Sequence, residues 1–89
     1  MSPAYRQAGV RPVVALYVTA GCHLCEESGR LLRRLARQMR FRLEVVDIAN
    51  DAALYERYWL AVPVLAVDGE AALSAPLDER RVREALARR

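Results

Sequence analysis

Only two cysteines occur in this 89-residue chain, Cys22 and Cys25. That is far too few for the disulfide framework of a small secreted domain. No run of about twenty apolar residues exists, so no segment is expected to span a membrane. Met1 to Arg11 also lack the apolar stretch of a signal peptide, and the expected compartment is the cytoplasm. Lysine is absent: the 14 basic residues are all arginine and, against 11 acids, leave a net charge of +3. Internal repeats and low-complexity segments are absent too. The length excludes a second hydrophobic core. Apolar residues at 54% beside charged residues at 28% exclude a wholly disordered chain.

Residues 1–12 carry Pro3, Gly9 and scattered polar residues without a period, and read as a tail ahead of one domain at 13–89. Val13 to Val18 is a short apolar run rich in β-branched residues, as expected of a strand covered on both faces. Thr19-Ala20-Gly21 breaks it. From His23 to Met39 the apolar side chains Leu24, Leu31, Leu32, Leu35 and Met39, with Ser28 and Ala36, follow a helical period. At roughly 100° per residue, Arg30, Arg33, Arg34, Arg37 and Arg40 fall on the opposite side. Glu26 and Glu27 in the first turn suit the helix dipole, and Glu26 with Arg30 makes a favourable four-residue pair. Gly29 costs this helix about 1 kcal/mol relative to alanine, a cost that close packing on a strand would explain.

Phe41, Leu43 and Val45 alternate with polar residues before Val46-Asp47-Ile48, predicting a second strand and a right-handed parallel crossover. Asn50 is the expected cap of a short helix through Tyr58, with Leu54, Tyr55, Tyr58 and Trp59 supplying packing area. Val62 to Val67, Asp68-Gly69 and Glu70 to Leu73 read as a hairpin, with Pro63 at the start of its strand. Asp78 caps a closing helix that turns Val82, Ala85 and Leu86 inward. The order β-α-β-α-β-β-α predicts an α/β fold, a four-stranded mixed sheet flanked by helices.

In that order Cys22 falls where the first strand ends and the first helix begins, where unpaired N–H groups and the helix dipole favour a thiolate. Cys25, one turn further in, is the more shielded of the two. A bridge across so small a loop removes little chain entropy, which leaves redox exchange, metal binding or inert buried thiols as readings of the pair. Zinc needs about four ligands, and one chain offers Cys22, Cys25 and at most His23. No metal site is therefore assigned within one chain, although a dimer pooling two pairs could hold zinc or an iron-sulfur cluster.

The run from Leu16 through Cys22-His23-Leu24-Cys25-Glu26-Glu27, with Val46-Asp47-Ile48, Leu54, Tyr58, Val62-Pro63-Val64-Leu65, Leu73 and Pro76-Leu77-Asp78, resembles the small bacterial glutaredoxin-like proteins of the thioredoxin superfamily. The resemblance implies a thioredoxin-like fold and a thiol-disulfide oxidoreductase that reduces protein or glutathione mixed disulfides. It implies Cys22 as nucleophile, Cys25 as resolving thiol and His23 as a group tuning the thiolate. Val62, through its backbone, and Pro63, as a cis residue packed beside the cysteines, would receive an extended peptide or glutathione. No bound cofactor is implied, with glutathione a possible co-substrate. The expected partner is a disulfide-containing protein or glutathione, and no membrane. The chain departs from typical glutaredoxins in having Ala61 before Val62-Pro63, Leu73 to Asp78 where a Gly-Gly and an acidic pair are usual, and no lysine. Arg11 and Asp78 are the candidate substitutes for the missing charge contacts.

Two further features have plain structural readings. Tyr17 and Trp59 are expected to be packing residues. From Arg30 to Arg42 there are six arginines and no acid, which reads first as a solvated helix back and otherwise as a binding face for an acidic partner or nucleic acid. The stripe lacks interleaved aromatic or base-reading residues, so nucleic acid is the less favoured partner.

Overall fold

The computed structural model describes residues 11–88, so the expected tail lies outside the described residues except for Arg11 and Pro12. The elements are β1 (Val13–Val18), α1 (His23–Met39), β2 (Arg42–Asp47), a 3-10 turn (Ile48–Asn50), α2 (Ala52–Tyr58), β3 (Val64–Val67), β4 (Glu70–Ser74) and α3 (Glu79–Ala87). Their order is the one read from the sequence. The four strands lie in the order β2-β1-β3-β4. β1 and β2 are parallel, while β3 runs antiparallel to both β1 and β4. Pro12 is already tied to the sheet, because its carbonyl accepts from the Arg42 N–H at 2.9 Å.

Side chains alternate across a strand, and β1 uses both faces. Val14 and Leu16 are fully buried against Leu32 and Leu35 of α1, Leu65 and Val67 of β3, and Val82, Ala85 and Leu86 of α3. On the other face Tyr17 stacks on Tyr58 of α2, with ring centroids 5.0 Å apart. The β3–β4 turn places both Asp68 (φ 50°) and Gly69 (φ 90°) in the left-handed region, the backbone that a two-residue hairpin needs. One slip in register between Leu65 and Ala66 offsets the two strands.

Several local expectations are corrected. Leu24 is 50% exposed, because it lies about 100° round the helix from Cys25; Cys25, Ser28, Gly29, Leu32 and Leu35 form the buried stripe instead. Ile48 is not in β2 but opens the 3-10 turn, which Asp47 caps by accepting from the Ala49 N–H at 2.9 Å. Asp51 rather than Asn50 caps α2, its Oδ1 accepting from the N–H groups of Ala53 and Leu54. Trp59 is 51% exposed and, among the described residues, stacks on Tyr55 alone. Glu26 and Arg30 form no ion pair among the described residues; the first-turn pair is His23 with Glu27. Gly29 meets no strand, the nearest atoms to a side chain there being those of Arg33.

Candidate functional site

Gly21, at φ 74°, lets the chain turn sharply from β1 into α1 and leaves Cys22 as the N-cap of that helix. An N-cap side chain accepts from a backbone N–H of the first turn. Here Cys22 Sγ does so, receiving the Cys25 N–H at 3.1 Å. The same hydrogen bond, together with the positive end of α1, stabilises negative charge on that sulfur when the pair is reduced. Cys22 and Cys25 are joined as a disulfide with Cα atoms 5.2 Å apart, within the range such bridges span. Cys22 is half-buried, whereas Cys25 is 4% exposed. The first cysteine of the pair is therefore the more accessible and the second the more shielded.

Pro63 is fully buried, and the Val62–Pro63 bond is cis. It faces α1 across a cleft of about 140 Å³ lined by Leu24, Glu27, Ser28, Leu31, Pro63, Ala75, Pro76 and Leu77. The far wall of this cleft, the segment between β4 and α3, is held by Arg81, whose guanidinium donates to the carbonyls of Ser74 and Pro76. The sequence reading did not single out Arg81, because nothing local distinguishes it from the other arginines of α3.

Only part of the expected binding apparatus comes together. His23 lies on the exposed first turn, its Nε2 2.9 Å from Glu27 Oε2; no hydrogen bond joins it to Cys22 among the described residues. The Val62 N–H is committed to the Tyr58 carbonyl at 3.1 Å. Asp78 caps α3, its Oδ1 accepting from the Arg81 N–H at 2.8 Å. Arg11 is not a substitute charge contact. It precedes β1, and six residues at about 3.3 Å each put it roughly 20 Å from the end that carries Cys22. The cleft beside Pro63 has no cationic side chain in its lining. Among the described residues no group of three or more His, Cys, Asp or Glu could hold a metal ion. No helix there is long and apolar enough to cross a membrane.

Solved structures with this architecture include a Nitrosomonas europaea protein determined by solution NMR, 31% identical, with a TM-score of 0.73 over 84% of this chain and 91% of that one. A crystal structure of an X. campestris protein is 36% identical, with a TM-score of 0.71 over 85% of this chain and 97% of that one. A variant thioredoxin from Halobacterium salinarum shares the fold at 23% identity, with a TM-score of 0.67 over 88% of this chain and 74% of its own. Residues 13–87 match the glutaredoxin-like domain family (DUF836). With its vicinal cysteines at the β1–α1 junction of a thioredoxin fold, the chain belongs to that glutaredoxin-like family.

Proposed function

We propose that the protein is a thiol-disulfide oxidoreductase whose preferred substrates are disulfides in proteins. The observation that carries this reading is the unequal burial of two bonded sulfurs at a helix N-terminus. In the reduced protein the Cys22 thiolate attacks a substrate disulfide, forming a mixed disulfide and releasing one substrate thiolate. The Cys25 thiolate then attacks the Cys22 sulfur, releasing the second substrate thiolate and forming the Cys22–Cys25 bridge. Two electrons have passed to the substrate, and an external dithiol or a pair of monothiols must return them. A reducing compartment such as the cytoplasm supplies them.

Protein substrates are favoured over glutathione by what surrounds Cys22. Leu24 is half exposed within the motif, and Leu60 is 80% exposed in the loop leading to Pro63. Exposed apolar side chains within the motif and in the loop that leads to Pro63 suit a macromolecular surface. Glutathione carries two carboxylates, whereas the adjacent cleft offers Glu27 and no cation. The Val62 carbonyl is the backbone group that receives an extended chain.

Reduction of insulin, used as a model protein disulfide, tests the assignment. Cys22→Ser abolishes turnover, while Cys25→Ser retains the first step and accumulates a mixed disulfide through Cys22 that intact-mass spectrometry detects. Unchanged turnover by Cys22→Ser, or an adduct that forms on Cys25 in its place, overturns the mechanism.

A further inference from the structure

A second cleft, of about 300 Å³, opens on the other flank of α1. Its floor is aliphatic: Leu16 and Val18 of β1 and Val45 of β2, with Cys25 and Gly29 along the helix side. Val45 is 45% exposed on the edge strand β2, where it pairs with the fully buried Leu16 of β1. Glu26, Arg30 and Arg33 form the rim. Arg33 lies over Gly29, its Nη1 only 3.2 Å from where a glycine Cβ would sit.

The rim continues into a charged surface. Of the six arginines from Arg30 to Arg42, Arg34 pairs with Glu79 and Arg42 with Glu44. Arg30, Arg33, Arg37 and Arg40 have no acidic partner among the described residues and are exposed. Arg30, Arg33 and Arg37 are spaced three and four apart, so they share one face of α1 over about 10 Å. Arg40 extends the row at the helix end.

We infer that this flank of α1 docks an acidic segment of another protein, with one bulky apolar side chain of that segment seated between Val45 and Gly29. The row of unpaired guanidinium groups attracts carboxylates, and the aliphatic floor gives an apolar anchor a place to desolvate. Nucleic acid fits less well, because no aromatic side chain lines the cleft for a base to stack upon. The chain's own first ten residues contain no acid and one arginine, so they do not complement the row. The surface is separate from the Pro63 cleft, and the inference does not depend on the redox reading.

Fluorescence anisotropy with a labelled peptide of Glu and Asp residues around one central Leu tests this. The peptide binds saturably and weakens several-fold as salt rises from about 50 to about 200 mM. Arg33→Gln combined with Arg37→Gln lowers affinity about tenfold. Val45→Asp does the same, as does replacing the peptide's Leu by Gly. Arg80→Gln, on α3, leaves binding unchanged, and circular dichroism shows every variant folded. Absence of saturable peptide binding overturns the inference. So does tighter binding of single-stranded oligothymidylate that survives Val45→Asp, which reassigns the face to nucleic acid.

Discussion

Gly29 lies inside helix α1, where its missing Cβ carries a cost in helix propensity. Glycine within a helix is less favourable than alanine by about 1 kcal/mol, and the atoms nearest a new Cβ belong to the mobile end of Arg33. A flexible guanidinium moves aside by a few tenths of an ångström at little cost, so helix propensity decides the sign. Gly29→Ala is expected to stabilise the protein by roughly 0.5–1 kcal/mol, read as a higher midpoint in urea with an unchanged slope. A lower midpoint would mean that Arg33 is held more firmly than its exposure suggests. The sequence marks Gly29 as unusual but points to the wrong neighbour, since a pattern of apolar residues says which face is buried and nothing about a long polar side chain folding back over it.

Between elements, a titratable carboxylate joins α1 to α3. Glu79 receives Arg83 at 2.9 Å from its own helix and Arg34 at 3.3 Å from α1. These hydrogen bonds, Arg83 first and then Arg34, lower its pKa below the ordinary value of 4.5. A carboxylate held below its unfolded pKa stabilises the folded state above that pKa, and the contribution fades as the pH falls from about 4.5 through the folded value. Glu79→Gln is therefore expected to lower stability modestly at pH 7 and to converge with the parent protein in acid. Paired thermal melts across that range check it, and a gap that persists below the folded pKa would point to a cause other than charge. The tie was not legible in the sequence, because it joins residues 45 apart through geometry that no local pattern carries. Helix α1 was legible from end to end, its 17 residues marked by a strong 3.6-residue period. Its C-cap, Arg40, turns left-handed at φ 59° without the glycine that usually signals such an end. The start of α2 shifted by one residue because Asn50 and Asp51 are both competent caps, and only the preceding 3-10 turn decides between them.

Across the whole molecule, the interior and the site draw on opposite uses of the same residue type. Leu65 is fully buried in the central sheet, while Leu60, five positions earlier, is 80% exposed in the loop before Pro63. The cysteines and Val62-Pro63 were recognisable in the sequence because short motifs carry them. The rest of the site was not: the wall from Ala75 to Leu77 and its Arg81 clamp exist only once β4 and α3 close on α1. Apolar composition likewise cannot tell a core leucine from one kept at the surface for a partner. The two substitutions therefore separate stability from substrate capture. Leu65→Ala removes core atoms and leaves a cavity, which costs about 2–5 kcal/mol against a total stability on the order of 5–15 kcal/mol. It lowers the melting temperature and the fraction of active protein together. Leu60→Ser removes no core contact and is expected to shift stability by no more than about 0.5 kcal/mol. With insulin as substrate its KM rises about three- to fivefold at unchanged kcat, the loss expected when one exposed anchor is truncated. With a small disulfide that has no surface for Leu60 to touch, KM and kcat both stay as they were. A KM for insulin that does not move would place the protein-binding surface elsewhere around Cys22.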